Sequence, residues 1–220
     1  MTRRPTLSSL CVKSFSGILF LVACAAPPGS STFSSGNDAS SRLQQIGHGR
    51  QLVLDHGCAD CHSMGMPSPI DPGFLAGTTA VDTGQFKIGP FKTYARNLTP
   101  DNATGLGRFS ERQIFNALRY GLRPGETPDV EITSSTPGQG NFPARPRYLA
   151  PPMPWIAFRH MSDEQLRAIA AYLKNGLKPV NHRVLDSEGP PDFWAGGYSA
   201  QNVGPYPAPP FPSAAEKGGQ

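Results

Sequence analysis

The clearest pattern along the chain lies in two short stretches where apolar residues return every three or four positions behind a polar start. Ser110 is followed three residues later by Gln113, a pairing in which each side chain satisfies the other's backbone N–H at a helix N-terminus. Phe109 and Ile114 flank it as a hydrophobic staple, and Ile114, Leu118 and Leu122 then repeat along one face. The same grammar recurs at Ser162 and Gln165, flanked by Met161 and Leu166. Leu166, Ile169, Ala170 and Leu173 form its apolar stripe and Gly176 its stop. A less regular helix is expected over 42–56, with Leu43, Ile46 and Val53 on one side and Ser40 or Ser41 as cap. Each of Gly47 and Gly49 costs that helix roughly 1 kcal/mol against Ala. A helix that keeps both calls for close approach by another element.

No internal repeat and no strand-rich region stands out. Between the helices lie two irregular stretches, 63–107 and 123–160, longer than a compact domain normally carries without an organising centre. The fold class expected is therefore mostly α with long loops, built around something central. The stretch 181–220 is rich in Pro and Gly and promises little regular structure, although Phe193, Trp194 and Tyr198 are able to dock on the domain. With 24 Gly and 24 Pro in 220 residues, one core is the better expectation. A small, loop-rich core leans on a cofactor, metal or disulfide.

The N-terminus reads as a targeting segment. Arg3, Arg4 and Lys13 precede an apolar run over 15–23, which is too short to span a bilayer and ends in Leu21-Val22-Ala23-Cys24. That ending resembles the lipobox of bacterial lipoproteins, in which the signal is cut before a Cys whose thiol is lipidated. The alternative is an ordinary signal peptide cut at a nearby Ala. Residues 25–39, rich in Ser, Gly and Pro, read as a tether behind the anchor. Removing the first 23 residues lowers the net charge from +4 to +1. No polybasic or aromatic-and-basic tract remains to suggest nucleic acid.

With Cys11 in the signal and Cys24 at its end, Cys58 and Cys61 are left. Cys58-Ala59-Asp60-Cys61-His62 has the spacing of c-type haem attachment, where two thiols add to the haem vinyl groups and the adjacent imidazole binds iron. Two intervening residues present both sulfurs on one edge of the ring, and the next side chain points beneath it. Three other readings of the pair are a thioredoxin-type redox site, a zinc site and a structural disulfide. The first lacks its strand-and-helix surroundings and the second lacks another Cys pair.

Candidates for the second iron face are Met64, Met66, Met153, Met161, His48, His56, His160 and His182. Met64 and Met66 follow His62 too closely to reach around the ring, and Met161 already serves the staple of the last helix. Met153 lies in Pro151-Pro152-Met153-Pro154-Trp155, where the prolines stiffen an extended loop able to hold a thioether with little entropy left to lose. Met153 is therefore placed first, with packing on Trp155 as its plain role, and His160 second.

Over 46–180 the chain resembles the class I cytochromes c, most closely the haem domains of the cytochrome subunits of bacterial membrane-bound alcohol and gluconate dehydrogenases. The resemblance rests on Gly49, on the Cys58 to His62 motif, and on Asn97-Leu98-Thr99-Pro100 with Gly105 and Gly107. It continues in Pro152-Met153-Pro154-Trp155 and in Met161-Ser162-Asp163-Glu164-Gln165-Leu166. It implies His62 and Met153 as axial ligands, and N- and C-terminal helices that cross with Gly49 under Tyr172. Those dehydrogenase subunits differ in carrying several haem motifs, and in lacking both the lipid anchor and the Pro-rich tail. The loop 97–107 looks like the family segment at the haem edge, which makes Asn97 or Arg96 a propionate candidate. Turn composition explains the same residues without one.

The sequence thus predicts a signal peptide over 1–23, a tether over 24–40 beginning at a lipidated Cys24, a monohaem cytochrome domain over 41–180 and a tail over 181–220. One covalent haem c would be held by Cys58, Cys61, His62 and Met153. The function expected is one-electron transfer, not catalysis, at a bacterial membrane facing the periplasm, between a dehydrogenase or quinol-linked donor and a respiratory acceptor. Rival readings are a peroxidase-like haem enzyme or gas sensor with a labile sixth ligand, and a cytochrome subunit of a larger dehydrogenase or oxidase complex.

Overall fold

The computed structural model describes residues 34–65, 67–78, 85–198 and 200–203. The expected signal peptide, Cys24, most of the tether, Met66 and the chain beyond 203 lie outside the described residues. The described part is rich in helix, with one small antiparallel sheet.

Helix α1 spans Ser34–Asp55 and so begins eight residues earlier than its apolar pattern predicts. Residues 34–40, read from the sequence as the end of a tether, are helical. They are Ser, Gly, Asn, Asp and Ala, which leave no apolar stripe to read. Gly57, in the left-handed region at φ 61°, separates α1 from the single turn α2, Cys58–His62. Glu111–Tyr120 forms α3 and Asp163–Asn175 forms α5, each opened by its complete reciprocal cap, Ser110 with Gln113 and Ser162 with Gln165. Between them, the short α4 covers Trp155–Phe158.

The largest interface between elements is α1 against α5. Gly49 makes it possible, because a Cβ there would lie 1.8 Å from the carbonyl oxygen of Ala168 and 2.9 Å from the Tyr172 Cβ. The crossing implied by the resemblance is present. Gly47, by contrast, has nothing within 4 Å of its Cβ position, so only one of the two glycines is explained by close approach. The core under this crossing gathers Leu52 and Val53 of α1, Ile114, Phe115 and Leu118 of α3, and Leu166, Ile169 and Leu173 of α5.

Leu122 departs from the expected helical stripe. Gly121, at φ 68° in the left-handed region, ends α3 and donates its N–H to the Ala117 carbonyl. A side chain at Gly121 would strike the Trp155 indole, 2.2 Å away. Leu122 lies past this stop, fully buried and bridged to Tyr148. It belongs to a second cluster with Phe91, Tyr120, Ile132, Phe142, Tyr148, Trp155 and Trp194. Tyr148 and Trp155 stack with centroids 6.0 Å apart. The long stretch 123–160 is thus organised in large part by its own aromatic core.

Strands β1 (Gln85–Ile88) and β2 (Phe91–Tyr94) pair as an antiparallel hairpin that the sequence pattern does not reveal. The segment after 180 also differs from expectation. Lys92 and Glu188 exchange backbone hydrogen bonds at 2.8 and 2.9 Å, which lays the segment along β2. Asp192 pairs with Arg123 at 2.9 Å and Arg147 at 2.7 Å. Trp194 packs on Phe91 at 5.0 Å, and Tyr198 edges onto Trp155 at 5.0 Å. The three aromatics thus fare differently: Trp194 and Tyr198 dock, while Phe193 touches Trp194 but stays 53% exposed.

Candidate functional site

Helix α2 is one turn long, so Cys58 and Cys61, three apart, and His62, four from Cys58, share one side of it. Cys58 is half-buried against the main core, Cys61 is exposed, and the two thiols are not bonded to each other. Burial pushes the Cys58 thiol up to about 11. A thiol held in the neutral form is poorly suited to be a redox nucleophile. Among the described residues, no three His, Cys, Asp or Glu side chains gather in a metal-ion cluster.

The His62 ring is fixed by a single backbone contact. Its Nδ1 lies 2.7 Å from the carbonyl oxygen of Arg96. A carbonyl only accepts, so Nδ1 carries the proton and the Nε2 lone pair is left for a metal. Burial also pulls the imidazole below its ordinary value, against the opposing pull of the Arg96 carbonyl. The neutral form, the one that ligates, is the form this environment favours.

Arg96 and Asn97, the two propionate candidates, each hold partners within the protein. The Arg96 guanidinium is engaged by Leu185 O at 2.7 Å and Ser187 Oγ at 2.6 Å. Asn97, 2% exposed, donates to Val180 O at 2.8 Å and Thr104 Oγ1 at 3.0 Å, and its Oδ1 accepts from Thr99 N at 2.9 Å and Thr99 Oγ1 at 2.7 Å. Its amide is committed to holding the loop. Next in the chain, Leu98 N–H reaches Leu75 O at 2.8 Å, and Gly77 N–H reaches His62 O at 2.7 Å. Loops 71–77 and 96–99 thereby brace α2.

Met153 is half-buried against the same apolar core as Cys58. Its N–H donates to Ala150 O at 2.9 Å and its carbonyl accepts from Trp155 N at 2.8 Å, so the loop between the prolines is tightly turned. Met161 packs on that core too, consistent with a structural role. Among the other candidates, His56 and His182 each have Nδ1 on a backbone carbonyl, Leu52 O at 2.8 Å and Ala76 O at 2.7 Å. His48 and His160 are exposed. The residues present, two free thiols, a neutral imidazole with a free Nε2 and a half-buried thioether, fit the donor set of a covalently held haem.

No family model matches the chain. Relatives do. The fructose dehydrogenase cytochrome subunit of Gluconobacter japonicus is 29% identical over 143 residues, covering 65% of this chain and 24% of that protein. The gluconate 2-dehydrogenase cytochrome c subunit of Pantoea cypripedii is 27% identical over 163 residues, covering 74% and 30%. A quinone-type alcohol dehydrogenase cytochrome c subunit of Gluconacetobacter polyoxogenes is 32% identical over 143 residues, covering 65% and 24%. This chain is a relative of cytochrome c subunits. It spans a quarter to a third of the length of these cytochrome relatives, 24% to 30%. Among the described residues, no helix is long and apolar enough to cross a membrane.

Proposed function

We propose that this chain is a monohaem c-type cytochrome that carries single electrons and performs no bond chemistry of its own. The observation that carries this reading is the α2 turn, with its two free thiols and with His62 held by Arg96 O so that Nε2 is left for iron. A bound haem c supplies the ferrous/ferric couple. Cys58 and Cys61 would tether it as thioethers, and His62 Nε2 and the Met153 thioether would hold its iron. With both residues engaged, small molecules would be kept from the iron, and the proline-stiffened loop would limit rearrangement when the charge changes.

Cys24 carries a lipid in this reading, which holds the domain at a membrane in the bacterial periplasm. The similarity to dehydrogenase cytochrome subunits supports a dehydrogenase or quinol-linked donor, with a respiratory acceptor beyond it. It also supports membership of a larger complex. Co-purification after mild solubilisation decides between the two, since a chain recovered alone in full yield acts as a free carrier.

The central test compares the absorption spectra of wild-type and Met153→Ala holoprotein. The expected result is loss of the thioether-to-ferric-haem charge-transfer band and ready binding of carbon monoxide in the variant. An unchanged low-spin spectrum removes Met153 as ligand, and absence of covalent haem in the wild type removes the whole reading.

A further inference from the structure

The loop that carries Met153 is fastened at both ends to the C-terminal end of α3. On its near side the link is backbone: Leu149 N–H reaches Gly121 O at 2.7 Å and Arg123 N–H reaches Arg147 O at 2.9 Å. On its far side a buried side chain makes a further link. Arg119, 1% exposed, donates from Nη1 to the carbonyls of Arg159 and Met161, the latter at 2.8 Å, and from Nη2 to the Asp163 carboxylate. These three acceptors span the junction between α4 and α5. The guanidinium also stands 5.4 Å from the Phe115 ring, within cation–π range.

Burying a guanidinium is strongly unfavourable unless its donors are engaged. Packing alone would be served by an apolar residue at this place on α3. What Arg119 adds is a directional hold on two carbonyls and a carboxylate, in a junction where α4 is only four residues long. Trp155, the first residue of α4, donates its N–H to the Met153 carbonyl at 2.8 Å, and Arg159 N–H returns to Trp155 O at 2.8 Å. Met153 is therefore joined to the carbonyls that Arg119 holds by a single continuous turn.

We propose that Arg119 is the positioning residue for the Met153 thioether, fixing the α4–α5 junction so that the loop holds its sulfur in place. This rests on the reading of Met153 as the second axial ligand. In a protein that lacks this hold, the loop spends more time displaced, and an external ligand competes for the vacated iron face more effectively.

The test titrates ferric holoprotein with imidazole in wild type, Arg119→Gln, Arg119→Lys, Asp163→Asn and Met153→Ala. Covalent haem content, thermal melting and hydrogen exchange over 150–161 are measured alongside. Arg119→Gln should keep its haem, weaken the thioether-to-ferric-haem band, exchange faster over 150–161 and bind imidazole on the order of 10- to 100-fold more tightly. Arg119→Lys, which keeps the charge but not the fork of donors, should lie between it and wild type. A merely structural role lowers melting without moving imidazole affinity, and that outcome overturns the proposal. Should Arg119→Gln fail to accumulate folded, Arg119→Lys and Asp163→Asn decide: wild-type affinity in both overturns it, and tighter binding in Arg119→Lys upholds it. Unchanged affinity in Met153→Ala sinks the ligand reading and this proposal together. A change there with none in the Arg119 variants sinks the positioning role alone.

Discussion

Gly49 and Ala168 meet so closely that a β-carbon on the first would lie 1.8 Å from the carbonyl oxygen of the second. The α1–α5 crossing therefore admits no side chain at this position. Gly49→Ala should destabilise the protein by about 3 kcal/mol or more, at the upper end for overpacking because the obstacle is backbone. Gly47→Ala meets nothing within 4 Å and should stabilise by about 0.5–1 kcal/mol. Urea unfolding of the pair checks both signs.

Asn97→Ala should cost about 2–3 kcal/mol, because it strands the buried Thr99 N–H and leaves the Val180 carbonyl only its longer bond from Thr99 Oγ1 at 3.4 Å. Asn97→Asp should do no better, since a carboxylate cannot donate to Val180 O. A loss of unfolding free energy in either variant of less than a third of this amount, read from urea unfolding, would contradict this role of Asn97.

Asp101 gives the fold a defined acid sensitivity. Hydrogen bonds from the Thr104 hydroxyl, the Thr104 N–H and the Ala103 N–H hold its carboxyl below its ordinary value of 3.8. A depressed carboxyl stabilises the folded state above the unfolded value, and that stabilisation drains away as the pH falls through the folded value. The melting-temperature advantage of wild type over Asp101→Asn should be complete above about pH 5 and shrink below 3.8. An advantage independent of pH would count against it.

In chain prepared without haem attachment, alkylation at about pH 8 should mark the exposed Cys61 well before Cys58. With its thiol near 11 rather than 9.0, Cys58 has a thiolate fraction about a hundredfold below that of an ordinary cysteine. Mass spectrometry of timed samples resolves the order, and first modification at Cys58 would show that it is not buried.

What the sequence reveals and what it hides follow from the range of each interaction. The caps at Ser110 and Ser162 were legible because both partners lie within four residues. Leu122 lies outside the helix although its spacing from Leu118 continues the helical period, because the left-handed stop at Gly121 intervenes. The hold on His62 comes from the carbonyl of Arg96, a group every residue carries, so the side-chain letter gave no sign of it. Asn97 read as an ordinary turn residue because its partners Val180 and Thr104 are supplied by the fold. Trp194 and Tyr198 are the letters that announce the docking of the Pro-rich segment, and nothing announces the ion pairs of Asp192.

The late attachment of the segment after 180 also orders events during synthesis. Asn97 waits for the Val180 carbonyl, 83 residues later, and the Arg96 guanidinium waits for Leu185 and Ser187, about 90 residues later. Contacts of such separation form only after the intervening chain has closed its loop. The α2 turn is therefore made long before the segment that anchors the Arg96 guanidinium. In that order Cys58 and Cys61 are in place before the last segment locks the loop whose Arg96 carbonyl holds His62.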